Sequence, residues 1–318
     1  MKKVTVSAPG KIHLSGEHAV VHGNPAIIVS VSKRLYVTLG PAKPGKQSEP
    51  LISLGKKDPF VRAITSVFTN RLGVKLTDIP VNITSDIPKG VGMGSSAALS
   101  VSLIAALLLY YEFPWDPQLI NELACQAEKF KHTNSSGSDT AVATHGGMLW
   151  YRRELDFLKI FWLLPLKIPA TFSPFILINT GRSETTGDLV ETVAALRRQN
   201  EQAFIMMLHD VDMITKRMAT SIRDENESAF RKAIAENERL LERMSVLSEH
   251  TKTLIRSIEQ AGGVAKISGA GGIKTGSGIV LATHSNSMAL VKIAKKYGYP
   301  FFTVVLGGEG VRREQVVV

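Results

Sequence analysis

Three stretches of this 318-residue chain combine residue types and spacings that could do chemistry. The first reads Ile87-Pro-Lys-Gly-Val-Gly-Met-Gly-Ser-Ser-Ala-Ala98. Gly90, Gly92 and Gly94 allow positive φ and a close backbone approach to a ligand. A long apolar segment follows at once, so the loop opens onto a helix start, where free N–H groups and partial positive charge favour phosphate. Ser95 and Ser96 add hydroxyls suited to phosphate or to a Mg²⁺ shell. The spacing fits neither a P-loop, which needs Gly-Lys-Ser/Thr after the glycines, nor a dinucleotide fingerprint. The competing reading is a flexible turn capped by serines.

The second stretch, Lys266-Ile-Ser-Gly-Ala-Gly-Gly-Ile-Lys-Thr-Gly-Ser-Gly278, lies between two apparent strands. It reads either as a long hairpin or, through Lys274 and its hydroxyls, as a second phosphate contact. In the third, Glu128 and Asp139 flank Lys-Phe-Lys-His-Thr-Asn-Ser-Ser-Gly-Ser. Asp139 could cap a short helix over Thr140–Thr144. Alternatively the two carboxylates divide the work, one on a metal and one beside a hydroxyl nucleophile. His18 and His22 have the i,i+4 spacing of a zinc pair, but Ala19 follows the first His where a metalloprotease has Glu, and Gly16 and Gly23 bracket the segment. Substrate contact or structural hydrogen bonding is the better reading. No Gly-x-Ser-x-Gly elbow supports a serine hydrolase.

Several elements must position these loops. Val4, Val6 and Ala8 alternate as a strand that stops at Pro9-Gly10, and Ala26–Val31 and Leu35–Leu39 read as two more. Gly40–Lys57 reads as a loop with a short strand over Leu51–Leu54. Phe60–Leu72 has helical spacing with Gly73 as its stop. Val81–Ile83 is a short strand, Ala97–Phe113 a buried core helix, and Leu119–Phe130 an amphipathic helix. Beyond Phe172 come the strand Phe175–Asn179, long helical patterns, and one helical face running Phe230, Ile234, Asn237, Leu241, Met244 and Leu247 or Ser248. Strand Val264–Ile267, strand Ile279–Ala282, helix Ser287–Lys296 and strand Phe301–Leu306 close the chain. The alternation predicts an α+β sandwich with a sheet covered on one face.

Composition bounds the alternatives. The length predicts two domains, and 44% apolar with 21% charged residues is an ordinary globular balance. The single cysteine, Cys125, fits a reducing compartment and excludes a cysteine-rich zinc module. Lys and Arg number 38 against 28 Asp and Glu, a formal charge of +10. That excess is dispersed in short pairs such as Lys33–Arg34 and Arg197–Arg198, which suits small anionic substrates better than a nucleic-acid groove. Aromatics at 7% are too sparse for base stacking. The N-terminal apolar run is too short for a signal peptide, and Ala97–Phe113, interrupted by Ser100 and Ser102, is too short to span a bilayer. The sequence predicts a soluble, cytoplasmic protein that binds neither nucleic acid nor membrane.

Ser7–Gly23, Pro88–Ala98 and Lys266–Gly278 together resemble the three ordered motifs of the GHMP small-molecule kinases. The resemblance spans Val6 to Arg312. Gly-Glu-His-Ala-Val-Val-His-Gly over residues 16–23 is similar to the mevalonate-phosphorylating members, whereas galactokinases continue Gly-Glu-His-Thr-Asp. The span Glu128–Asp139, with Thr140-Ala-Val-Ala-Thr-His-Gly-Gly147, resembles their catalytic segment. Met93 stands where the family usually has Leu, Ile273-Lys-Thr interrupts the third loop, and Ser135-Ser-Gly-Ser138 replaces a Pro-Ser-Gly-hydrophobic run.

The resemblance implies a two-domain α+β GHMP kinase fold. Residues 1–171 would form the N-terminal mixed-sheet domain with the phosphate loop, and residues 172–318 a C-terminal ferredoxin-like α/β sandwich, with the site between them. It implies ATP- and Mg²⁺-dependent phosphorylation of the 5-hydroxyl of (R)-mevalonate, in isoprenoid precursor synthesis. A related acceptor, phosphomevalonate or a mevalonate 3-hydroxyl, is the alternative, and a basic nucleic-acid-binding module is a further one. Asp139 would be the base or orienter of the hydroxyl, and Lys11 its partner. Lys89, Gly90, Val91, Gly92, Met93, Gly94, Ser95 and Ser96 would hold ATP, and Glu128 with Ser95 or Ser96 would hold Mg²⁺. Glu17, His18 and Thr186 would shape the acceptor pocket, and the protein would be a homodimer.

Overall fold

The computed structural model describes residues 2–41, 48–131, 136–155 and 158–317. The chain runs β1 (Lys3–Ser15), β2 (Ala26–Leu39), β3 (Glu49–Pro50), α1 (Leu51–Lys57), α2 (Pro59–Leu72), β4 (Pro80–Ser85), α3 (Ser95–Tyr110), α4 (Pro117–Lys131) and α5 (Ser138–His145). It continues through β5 (Met148–Arg153), β6 (Lys159–Leu164), β7 (Phe175–Asn179), α6 (Thr186–Gln199), α7 (Glu201–Arg223), α8 (Glu227–Arg243) and α9 (Glu249–Gln260). The last elements are β8 (Val264–Ser268), β9 (Ile279–Thr283), α10 (Ser287–Lys296), β10 (Phe301–Val304) and β11 (Arg312–Val317). A first sheet has the order β11-β1-β2-β4-β3, with β5 on the far half of β2 and β6 outside it; a second has the order β10-β7-β9-β8. Mixed helices and sheets in this arrangement make the fold α+β.

The strand β1 does not stop at Pro9-Gly10, as alternation alone predicts. It absorbs them in a register shift between Pro9 and Lys11 against β2, and continues to Ser15. The irregularity keeps the strand paired and turns Lys11 and His13 toward the site. β2 likewise runs unbroken through Ser32–Arg34, joining the two strands read separately in the sequence. The Arg34 guanidinium is buried and donates to Ser7 Oγ (2.7 Å) and the Gly310 carbonyl (2.6 Å), fastening the returning C-terminal segment onto β1. So one of the basic pairs counted as surface charge is half interior.

Helix α3 is buried on nearly every face from Ala97 to Leu108 and packs on β1 and β2. That is the behaviour of a helix apolar all round. Ser100 and Ser102 are tolerated there because their hydroxyls donate back to Ala97 O (3.1 Å) and Ala98 O (2.6 Å). Leu51–Leu54 forms the start of α1 and not a strand: Leu51 is buried and Ile52 exposed, a helical phase against α2. The long face after Phe230 ends at Arg243, where Ser245 takes φ 59 and Ser248 caps α9. Phe230, Ile234, Asn237 and Leu241 are buried as the spacing predicts. Helices α8 and α9 cover β8, and α7 packs on both α8 and β1, so apolar residues of the two sheets join in one core.

Candidate active site

A cleft of about 1510 Å³ opens between the bulge of β1, the loop 88–96, the start of α5 and the 269–270 turn. It exceeds the ~300–1,000 Å³ of a typical single-ligand pocket, leaving room for two small molecules side by side. The cleft brings together Lys11, Glu17, His18, Lys89, Glu128, Asp139 and Thr186, which are spread over 176 positions of sequence between Lys11 and Thr186. Gly90, Gly92, Met93, Gly94, Ser95 and Ser96 line it as well. Val91 does not, since its side chain turns into the core.

Lys11 is seated by its own backbone, whose N–H donates to Met93 O at 3.0 Å and ties β1 to the glycine loop. Gly94, at φ 71, is required beside it, because a Cβ there would stand 2.9 Å from Lys11 Cγ. The Lys11 ammonium lies 3.2 Å from Asp139 Oδ1; its side chain is 7% exposed and that of Asp139 39%. The cation is thus shielded while the carboxylate faces the cleft. Asp139 is not the helix cap that its position allowed: Gly137 takes the cap position at φ 77 with no side-chain cap bond, and Asp139 sits in the first turn of α5. Freed from capping, its oxygens face Lys11 and the opening. Ser136 Oγ and Ser138 Oγ pair at 2.7 Å beside it, and Ser135 lies outside the described residues.

His13 follows two positions after Lys11 on the same strand face, and its Nδ1 accepts from the Lys11 ammonium at 3.5 Å. Burial, with Lys11, Lys266 and His18 nearby, holds its imidazole well below the usual range, so it is neutral and can accept. The His18–His22 segment is a 3-10 turn ended by Gly23 at φ 86. Burial lowers His18 as well, and its Nε2–H donates to Ala270 O at 2.9 Å. His22 packs edge-on against Phe204, so the two imidazoles have separate structural partners.

Across the cleft, the buried Glu128 on α4 accepts at Oε2 from Ser96 Oγ at 3.3 Å. A buried carboxylate with a hydroxyl beside it is a hard-oxygen pair, and Mg²⁺ takes one or two carboxylates together with substrate phosphates. The residues therefore fit a Mg²⁺–phosphate site, with Ser96 the loop hydroxyl that reaches the Glu128 carboxylate. The loop's amides are open. Among the described residues, no protein acceptor takes an N–H of residues 90–96 outside the helix ladder.

Lys274 is not in the lining of the cleft; its amide donates to Glu184 Oε1 at 2.7 Å. Sequence reasoning missed His13, Lys266, Glu238 and Arg182. Lys266 and Glu238 are wholly buried, and Arg182 lines the cleft. Extending the period-2 pattern of β1 past the bulge would have found His13. Glu238, four after Ile234 and three before Leu241, lies on the buried face already marked.

The fold and this cleft can be set against known proteins. Residues 59–147 match the GHMP kinases N terminal domain. The chain is 33% identical over 279 residues to the mevalonate kinase of Archaeoglobus fulgidus, covering 84% of this chain and 88% of the relative. It is 30% identical over 287 residues to that of Aeropyrum pernix, covering 83% and 85%. Among solved structures, L. major mevalonate kinase in complex with R-mevalonate superposes with a TM-score of 0.77 at 22% identity over 96% of both chains. Methanococcus jannaschii mevalonate kinase gives 0.78 at 20% identity over 96% and 98%; these two likenesses speak for the fold.

The chain belongs to the GHMP kinase family and is an ATP-dependent small-molecule kinase. These two relatives, at 33% and 30% identity, both carry the name mevalonate kinase. No helix among the described residues is long and apolar enough to cross a membrane.

Proposed function

We propose that this kinase transfers the γ-phosphoryl group of ATP to the 5-hydroxyl of (R)-mevalonate. The observation that carries the reading is the shielded Lys11 ammonium 3.2 Å from a cleft-facing Asp139 carboxylate, opposite a glycine loop with open amides. Phosphoryl transfer asks for positioning and charge neutralisation more than covalent chemistry by the protein. Asp139 orients the acceptor hydroxyl and takes its proton as the new O–P bond forms and the bond to ADP breaks. Lys11 stabilises the negative charge that gathers on the transferring group. The amides of residues 90–96 and Lys89 at the rim hold the triphosphate, with the partial positive charge of the α3 N-terminus behind them. Glu128 and Ser96 would hold Mg²⁺, which would supply charge neutralisation for the triphosphate. Glu17, His18 and Thr186 wall the acceptor side.

The cavity volume supports two substrates, and the +10 formal charge suits an anionic acceptor and ATP together. The same reading assigns the product to isoprenoid precursor synthesis in the cytoplasm and the working form to a homodimer, which light scattering tests. Its direct test is ADP release with Mg-ATP and each of mevalonate, phosphomevalonate, homoserine, galactose and no acceptor. Release with mevalonate and formation of its 5-phosphate is the expected result. Turnover with another acceptor alone moves the substrate, and turnover with none of them contradicts the proposal.

A further inference from the structure

Beneath the acceptor wall lies a cluster of charged groups that the transfer step does not use. Lys266 on β8 is fully buried, and its ammonium donates to Glu17 Oε1, to Ile267 O at 2.6 Å and, more weakly, to His13 O at 3.4 Å. All three of its protons are therefore engaged. Glu238 on α8 is also fully buried and accepts at Oε2 from the Ile267 amide at 2.9 Å. Two further bonds run between the same segments: His13 N–H to Ser268 Oγ at 2.8 Å, and His18 Nε2 to Ala270 O at 2.9 Å. Strand β8 and the turn after it are thus stitched to the Lys11–His18 segment at several points. Glu17, His13 and His18 line the cleft, whereas Lys266 does not.

We propose that Lys266 is a positioning residue for the acceptor side of the cleft, acting through Glu17: its ammonium fixes the Glu17 carboxylate and, with it, the His18 ring at the wall. Burial lifts the Glu17 carboxyl, and the Lys266 ammonium opposes that lift by favouring its charged form. Burial pushes the Glu238 carboxyl up to about 8, so near neutral pH it is protonated and leaves Glu17 as the cation's counter-charge. The other charged groups whose fields act on the cluster are Lys11, on Glu17 and His13, and Glu242, on Glu238. For folding stability, removing one member of such a pair strands the other as a buried charge and costs more than neutralising both; the positioning role is read instead from the acceptor KM.

The inference rests on the reading of the cleft as a site for mevalonate and ATP. The test is a double-mutant cycle of Lys266→Gln and Glu17→Gln, read as separate KM values for acceptor and for ATP with the purified full-length protein. Each single variant is expected to raise the acceptor KM about tenfold or more, and to leave the ATP KM within about twofold. The double variant should match Glu17→Gln alone, because Lys266 has nothing left to position. Multiplying effects in the double variant, or equal rises in both KM values, would overturn the proposal.

If Lys266→Gln does not fold, the comparison of the double variant with Glu17→Gln decides in the same way. A double variant that also fails to fold counts against the proposal, since Lys266 would then be needed by the fold independently of Glu17. A wild-type protein that ignores mevalonate breaks the functional reading alone. The cycle is then run with whichever acceptor supports turnover.

Discussion

The two glycine-rich loops of this protein look alike in composition and differ in everything that matters physically. In the loop 90–94, the space in front of Gly90 is open and Gly92 has only Ser268 O, at 3.9 Å, near where a Cβ would stand. The loop ends at the N-terminus of α3, and its amides take no protein acceptor among the described residues outside the helix ladder. In the loop 269–278, a Cβ on Gly276 would stand 1.9 Å from Thr180 O, and one on Gly271 would stand 2.1 Å from Val246 O. Five of its amides are already engaged: Gly272 with Val246 O, Ile273 and Lys274 with Glu184, Ser277 with Thr180 Oγ1, and Gly278 with Gly181 O. At Gly90 and Gly92 the first loop uses glycine to leave room for something else, and only Gly94 is held against a neighbour, the Lys11 side chain. The second uses Gly271, Gly272 and Gly276 to pack backbone on backbone, while Gly269 at its start stays open on the cleft. The element that the glycines lead into, a helix start or a strand, is a better guide to phosphate than their number.

This contrast can be broken or sharpened by substitution, because cleft-facing changes should move kinetics and packing-side changes should move stability. The largest effect is expected for Asp139→Asn, with kcat falling by about 10²- to 10⁴-fold and ATP binding retained by calorimetry. Near-normal turnover would remove Asp139 from the chemistry. On the packing side, Gly276→Ala should destabilise the fold by about 3 kcal/mol or more by chemical denaturation, while its folded fraction keeps the wild-type ATP KM. Glu128→Gln should raise the Mg²⁺ needed for half-maximal rate about tenfold or more; an unchanged metal titration would refute the ligand role.

Glu238 supplies a smaller, pH-dependent difference. Its carboxyl rises from 4.5 in the ordinary case to about 8 in the fold, so between those values the folded state binds more protons than the unfolded state. The stability this group supports is full below pH 4.5 and is lost as pH rises through about 8. Glu238→Gln, neutral at every pH, should therefore gain in Tm relative to wild type as pH is raised across that window. A constant Tm difference would contradict the assignment. The smallest effect is expected for Lys274→Ala, with an ATP KM within about twofold and stability within about 0.5 kcal/mol of wild type. A large rise in ATP KM would return the third loop to phosphate binding.

Much of the fold was legible in residue pattern, and the failures have identifiable causes. Strand Phe175–Asn179 and helix Ser287–Lys296 lie where pattern and boundaries predict: the strand is a short apolar run buried on both faces, and the helix buries one face through Leu290 and Ala294. The Pro9-Gly10 break misled because the strand stays paired across both residues while β2 takes up the irregularity, Pro9 to Lys11 facing Arg34 to Ser30, and no local signal in β1 shows this. Strand β11 escaped notice because its partner β1 is almost the full chain length away, joined at Val4↔Val316 and Ser7↔Arg312.

In the candidate site, most groups named from motifs converge on one cleft, with Val91 turned away from it and Lys274 and His22 outside its lining. The residues that motif reading overlooked are those whose importance is burial. Lys266 reads as one more basic residue in a chain with 38 of them, and only the tertiary packing makes it a buried cation bound to Glu17. Asp139 shows the converse. Its spacing alone could not separate a cap from a reactive carboxylate, and the Lys11 ammonium arriving from β1 is what distinguishes them.

The most direct test of this division between the loops is amide hydrogen exchange of the full-length protein with and without Mg-ATP, resolved over both of them. Slowed exchange is predicted across residues 90–96 and the start of α3, with Gly272, Ile273, Lys274, Ser277 and Gly278 unchanged because their amides are engaged within the protein. Protection confined to residues 272–278, with 90–96 indifferent to nucleotide, would contradict it.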